Sequence, residues 1–190
     1  MLLRLAEPSD AAAIAAVYRP YVEQTPISFE TLPPDSGEMA ARMAEVQPHL
    51  PWLVAEEHGV VFGFSYGHPF APRAAYAWSV ETSVYVGLGQ HRRGVGRRLY
   101  AALLDLLALQ GYQEAFAGVT LPNPGSVGLH EVMGFERVAT FRRAGWKLGA
   151  WHDVGWWQRH LGSAVGTPLP TRGVGDLPAE QVAAVLAGGG

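Results

Sequence analysis

The segment 81-ETSVYVGLGQHRRGVGRRLY-100 joins a strand pattern to a helix pattern through a turn dense in glycine and arginine. Its first six residues alternate, as the period of two in a strand requires. From Gly94 onward Val95, Leu99, Leu103 and Leu106 recur at helical intervals as far as Gln110, and Gly111 closes the run. At such a junction the unpaired amides of the first helical turn and the positive end of its dipole face an anion, while glycines let the backbone come close. A diphosphate suits that arrangement. Arg92, Arg93, Arg97 and Arg98 add charge-assisted contacts, which fits a ligand with a pyrophosphate and a further phosphate, as coenzyme A has.

Other motifs fail on particular residues. Gly89 to Gly94 has Walker A spacing, but Val95-Gly96 stands where lysine and a hydroxyl residue must reach phosphate and magnesium. A dinucleotide fingerprint needs a third glycine, and Gly94-x-Gly96-x-x-Leu99 ends in leucine. Gly63-Phe64-Ser65-Tyr66-Gly67 matches the nucleophile elbow of serine hydrolases, with Asp105 and His130 following in compatible order. An elbow requires a helix directly after the serine, however, and His68-Pro69-Phe70-Ala71-Pro72 cannot start one cleanly. His130-Glu131-Val132-Met133-Gly134 begins like a zincin helix but has glycine in place of the second histidine, so no metal is assigned.

The bulk properties narrow the field further. With 190 residues, 48% of them hydrophobic, one buried core is expected. A net charge of -3 argues against a nucleic-acid partner, because affinity for a phosphate backbone comes from surplus lysine and arginine. No cysteine is present, so acyl transfer through a cysteine thioester is excluded. The start lacks the apolar stretch of a signal peptide, and Leu99 to Leu109 is too short and too polar at Asp105 for a membrane span, so a cytoplasmic protein without membrane association is expected.

Outward from the central segment, strands are expected at 2–6, in a hairpin of 52–57 and 60–66, and at 75–86, 115–121, 135–141 and 152–158. Helices are expected after Ser9 or Asp10, over 35–46, over 94–110, and from Pro124 to Gly134 with Asn123 as its cap. Residues 25–34 form a proline-punctuated loop that nevertheless carries Ile27 and Phe29. The domain is read as 1–162. Residues 163–190, rich in Gly and Pro, are read as a tail with a short helical pattern from Leu177 to Leu186.

The central segment, together with 51-PWLVAE-56, Leu121-Pro122-Asn123, Ser126-Val127, His130-Glu131, Gly134-Phe135 and Trp151-His152-Asp153-Val154, resembles the GNAT superfamily of N-acetyltransferases. More narrowly it is similar to the phosphinothricin and methionine sulfoximine acetyltransferases. That resemblance implies a single α/β domain with a mixed, partly splayed β-sheet flanked by helices, working as a homodimer. It implies transfer of acetyl from acetyl-CoA to a small amino-acid-like amine within a ternary complex. Val84, Tyr85 and Val86 would pair their backbone with the pantetheine arm; Arg92, Arg93, Gly94, Val95, Gly96 and Arg97 would hold the pyrophosphate. Asn123 and Ser126 would fix the pantetheine near the thioester.

Amide formation needs a base for the amine proton and an acid for the departing thiolate. Glu81, in an otherwise apolar strand and on the face of Ser83 and Tyr85, is the expected base; an exposed strand carboxylate is the bland alternative. His130 stands where many superfamily members carry a tyrosine acid, so it would protonate the thiolate or bind the acceptor. For the acceptor itself the resemblance points to Phe29, Arg73, Tyr76, Ser83 and Tyr85, with Arg73 set to pair a carboxylate. Ala71 replaces a lysine of the phosphinothricin enzymes, which directs attention to other amino-acid analogues. A transferase acting on peptide or protein N-termini, and a non-catalytic acyl-CoA sensor, are the alternatives.

Overall fold

The structure, a computed structural model, describes residues 1–162 and 166–188. Its elements follow the chain as β1 (Leu2–Leu5), α1 (Ala11–Gln24), α2 (Ser36–Val46), β2 (Trp52–Glu57), β3 (Val60–Pro69), β4 (Ser79–Val86) and α3 (Val95–Gln110), then β5 (Glu114–Leu121), α4 (Pro124–Val132), β6 (Glu136–Lys147), β7 (Ala150–His160) and α5 (Ala179–Gly188). One seven-stranded sheet has the order β1-β2-β3-β4-β5-β7-β6. Every neighbouring pair is antiparallel except β4 and β5, which are parallel with α3 as their crossover. The expected mixed α/β sheet is therefore present.

Side-chain size along β3 decides how the layers stack. Phe64, Tyr66 and His68 stand opposite Tyr85, Ser83 and Glu81 of β4, so all six share one face. There α1 contributes Tyr18, which meets Phe64 and Tyr85 edge to face. In the middle of β3 the other face carries the small residues Gly63, Ser65 and Gly67. A β-carbon on Gly63 would stand 3.1 Å from Leu99 and 3.2 Å from Val95, and one on Gly67 would stand 3.4 Å from Leu107. The Gly-x-Ser-x-Gly spacing is thus a strip of small residues on which α3 rests; the fully buried Ser65 donates its hydroxyl to the Leu99 carbonyl.

Several strands differ clearly from the expected limits. The strand expected from Ala75 begins at Ser79, because a single tight turn at Ala74–Tyr76 uses its amides locally, Tyr76 bonding Arg73 and Ala77 bonding Ala74. By contrast, β3 runs on to Pro69 because its pairing with β4 continues there. The hairpin of β6 and β7 is also longer, kinked where the register shifts between Phe141 and Gly145.

Residues 163–165, at the boundary expected between domain and tail, lie outside the described residues, as do 189 and 190. The described remainder packs on the body. Trp78 donates its indole N–H to the Leu169 carbonyl, Gln110 donates to the Arg172 carbonyl, and Leu177 is buried. At the β1 edge of the sheet, Arg4 ties β1 to the start of α1 and to β2 through Asp10 (2.6 and 2.8 Å) and Glu56 (2.9 Å).

Candidate active site

The sheet opens at one place. Between β4 and β5 the register pairs Ser79 with Glu114, Val80 with Ala115 and Glu81 with Phe116, and there it stops. Beyond that point β4 continues to Val86, held on its other side by β3, while β5 continues to Leu121, held by β7. Ser83 to Val86 thus leaves main-chain groups facing a fork with no protein strand in it; of these the Val86 carbonyl is already met, by the Tyr21 hydroxyl at 2.5 Å and His91 Nε2 at 3.2 Å. Such groups need a partner, and an extended amide-bearing chain laid in the fork supplies one.

At the wide end of the fork the loop to α3 is curled by left-handed residues at Gly89, Arg92 and Gly94, with φ of 89°, 63° and 76°. Consecutive turns of this kind point amides toward a common spot. Gly94 caps α3 with no side chain over the first turn, so the amides of that turn stay available. Gly96 lies 3.5 to 3.6 Å, measured from a β-carbon placed on it, from Leu129 and Val86, so α3 starts tight against α4 and the end of β4. Arg92 and Arg97 are exposed and have no side-chain partner among the described residues, whereas Arg93 reaches Gln90 and Glu57. A cleft of about 550 Å³ follows, lined by Gly94, Arg97, Arg98, Met133, Gly134 and Arg159. Loop, uncapped helix and arginine-lined cleft together fit a long, phosphate-bearing donor such as acetyl-CoA.

Glu81 sits at the vertex of this fork. Burial pushes its carboxyl up from the ordinary carboxylate range, and His68, directly opposite on β3, acts in the other direction. A half-buried carboxylate with a raised pKa is suited to receive a proton.

His130 is buried on the α3 side of the sheet, 4% exposed. Its Nδ1 lies 2.7 Å from the Ser126 carbonyl and 3.3 Å from the Ser126 hydroxyl, and its Nε2 lies 3.0 Å from the Tyr100 hydroxyl. Burial lowers its pKa, and the bond to Ser126 works against that. Asn123 caps α4 by accepting from the Ser126 amide at 3.1 Å.

On the Glu81 face lies a cavity of about 270 Å³ walled by Tyr18, Met39, Val46, Trp52, Phe64, Tyr66 and Tyr85, with Arg42, Glu45 and His68 at its polar margin. Arg42 is already neutralised there by Glu30 (2.8 and 3.0 Å) and Glu38. The loop of residues 25–34 straps this region to the far hairpin. Its Ile27 and Ser28 carbonyls accept from Thr120 and from the buried Lys147, and Phe29 lies over Gly145, where a β-carbon would collide with its ring. Burial lowers the Lys147 pKa, with Glu30 opposing.

Of the expected acceptor residues, the structure brings Ser83 and Tyr85 together on one face, with Tyr85 in the cavity wall. Tyr76 is reached through Phe70, which meets it at 5.6 Å and stacks at 4.2 Å on Phe116, the partner of Glu81. Phe29 lies apart from these, beside the β6–β7 hairpin, and Arg73 is exposed with no partner among the described residues. Sequence reasoning passed over His68, Tyr66, Tyr18, Thr82 and Tyr100. For His68 a signal existed: hairpin register places it opposite Glu81 once the strand is extended to Pro69. Among the described residues no group of His, Asp or Glu could hold a metal ion, and no helix is long and apolar enough to cross a membrane.

Residues 3–156 match the family model of the acetyltransferase (GNAT) domain. The chain is 41% identical over 175 residues to phosphinothricin N-acetyltransferase of Streptomyces viridochromogenes, covering 92% of this chain and 95% of the relative. It is 32% identical to an L-methionine sulfoximine/L-methionine sulfone acetyltransferase of Salmonella typhimurium, covering 85% and 95% respectively. The structure superposes, with a TM-score of 0.84 and 33% identity over 90% of this chain and 93% of the other, on a GNAT superfamily phosphinothricin acetyltransferase from Sinorhizobium meliloti in complex with acetyl-CoA.

Proposed function

Because this chain belongs to the GNAT acetyltransferase family, and so uses acetyl-CoA to acetylate amines, we propose that its acceptor is the primary amine of a small amino acid or amino-acid analogue of the methionine sulfoximine, methionine sulfone or phosphinothricin type. The observation that carries the reading is the fork: three pairs of parallel ladder ending at Glu81, so that this carboxyl stands where an extended donor lying in the fork would end. Acetyl-CoA supplies the thioester carbonyl. The chain's backbone at Val84, Tyr85 and Val86 holds its arm, and the 92–97 loop with Arg92 and Arg97 holds its phosphates.

In the reaction the amine nitrogen forms a bond to the carbonyl carbon, the carbon–sulfur bond breaks, and the nitrogen gives up a proton to the Glu81 carboxylate, directly or through a water. The thiolate takes a proton in turn, which we assign to His130. Glu81 is equipped for its part because burial makes its carboxylate a stronger base than one in water. For the acceptor, Tyr85, Tyr66 and Ser83 form an aromatic and hydroxyl wall beside Glu81, and Arg73, exposed and without a partner among the described residues, would meet a carboxylate. Ala71 removes a cation that the phosphinothricin enzymes carry, and the cavity's main surface is aromatic and aliphatic. Both features favour an uncharged side chain, as in the sulfoximine and sulfone, over a phosphinate.

We assign the working form to a cytoplasmic homodimer. Phe141, Trp146, Leu148 and Trp151 leave a band of exposed apolar surface on the β6–β7 hairpin, which favours a second copy. Incubation with acetyl-CoA and a panel of amino-acid analogues, peptides and simple amines, with products read by mass, tests the acceptor. Acetylated methionine sulfoximine or sulfone is the expected result. Product from peptides alone would overturn the choice of acceptor, and binding without product would mark a sensor.

A further inference from the structure

Behind the fork runs a buried chain of hydrogen-bonding groups. It starts at the carbonyl of Phe116, the last β5 residue in the ladder with β4. The Thr82 hydroxyl lies 3.1 Å from that oxygen and 2.6 Å from the Tyr100 hydroxyl; the Tyr100 hydroxyl lies 3.0 Å from His130 Nε2; and His130 Nδ1 lies 2.7 Å from the Ser126 carbonyl. Both ends are carbonyl oxygens, which only accept. Four contacts therefore need four protons. Threonine, tyrosine and a neutral histidine bring three.

The distances say where the gap falls. Nδ1 at 2.7 Å from a carbonyl must carry a hydrogen, so a neutral ring leaves a lone pair on Nε2 and the Tyr100 O–H must point to it. Two oxygens 2.6 Å apart also need a hydrogen between them, which then comes from Thr82. The unfilled contact is the longest one between oxygens, Thr82 to Phe116, at the vertex of the fork. If His130 gains a proton, its Nε2–H donates to Tyr100, Tyr100 turns to Thr82, Thr82 turns to the Phe116 carbonyl, and all four contacts are filled.

We infer that Tyr100 and Thr82 are positioning residues that make His130 a one-proton store behind the fork, kept for the departing thiolate. This rests on the reading of Glu81 as base and His130 as acid. At Tyr100 the charges of Glu81 from β4 and Arg159 from β7 oppose each other. Around the ring of His130 stand, among the described residues, Ser126, Tyr100 and the aromatics Phe135 and Trp157, none of them charged. At His130 itself burial works against the added proton and the Ser126 carbonyl works for it. The balance is one proton from nitrogen to Glu81 and one from His130 to sulfur in each turnover.

The test uses the full-length protein with ¹⁵N-labelled histidine. In Tyr100→Phe the His130 titration is expected to move down by about one pH unit, the worth of a hydrogen bond to a charged partner. Above that midpoint kcat should fall about tenfold with the KM for acetyl-CoA held within twofold, and the deficit should shrink as the pH is lowered. Thr82→Val should shift the titration the same way by less, and Thr82→Ser should restore it; this pair carries the test if Tyr100→Phe does not fold. A His130 titration unmoved in Tyr100→Phe, or in Thr82→Val, overturns the inference, as does a shift with an unchanged pH dependence of kcat. If the unaltered protein transfers no acetyl to any amine, the reading of Glu81 as base fails, and the titrations still decide whether the chain stores a proton.

Discussion

The donor side and the acceptor side of the fork are built from different materials. Toward the donor the protein offers main chain and unpaired cations: strand edges at Ser83 to Val86, an uncapped helix start at Gly94, and free guanidinium groups on Arg92 and Arg97. Toward the acceptor it offers side chains, mostly aromatic, and the arginine in the cavity wall, Arg42, is already cancelled by Glu30 and Glu38. Main-chain recognition depends on conformation and tolerates substitution of the side chains that display it. A pocket made of side chains changes selectivity when one of them changes size. Donor affinity should therefore be robust and acceptor choice fragile.

The sharpest break between the two sides comes at Glu81. Glu81→Gln should lower kcat by about 10² to 10⁴, the range for loss of a general base, while calorimetry shows acetyl-CoA binding unchanged. The accompanying pH profile has a definite sign. A base works only when ionised, and burial raises this carboxyl, so kcat/KM should fall as the pH drops through a midpoint above the ordinary carboxylate range, and that limb should vanish in the glutamine variant.

Filling the acceptor cavity tests its separateness. Val46→Trp should raise the acceptor KM by about 10- to 100-fold, the scale on which apolar pockets discriminate size, with donor affinity held within twofold. An equal loss for both ligands would join what the comparison separates. On the donor side Arg97→Ala should raise the acetyl-CoA KM about tenfold and leave the acceptor KM unchanged, and the penalty should shrink as salt is added. The smallest effect belongs to neither side. Ser65→Ala removes one buried hydroxyl bond to Leu99 and should cost about 1 kcal/mol in a denaturant melt with turnover intact.

These materials also explain what could be read from the residues. The donor side is one contiguous run from Glu81 to Tyr100, so alternation, glycine placement and arginine density all report on it together. The acceptor cavity draws on α1, α2, β2, β3 and β4, and nothing about Tyr18 or Tyr66 distinguishes it in sequence from an ordinary core aromatic. Tyr100 is likewise hidden among the buried leucines of α3. Ser65 shows the converse: Gly-x-Ser-x-Gly carries a catalytic pattern, but in a mid-sheet strand small residues at alternate positions are what a closely packed helix demands. Element limits slipped where local turn bonds or continued strand pairing outweighed residue preference, as at Ala74–Tyr76 and His68-Pro69.

The claim beneath the whole account is that the open edge of β4 receives the donor. Hydrogen exchange of the full-length protein, with and without acetyl-CoA, measures this directly at residues 83–86. Slowed exchange there, together with the amides that begin α3, is the predicted result. Saturating acetyl-CoA that leaves residues 83–86 exchanging at their original rate would contradict it.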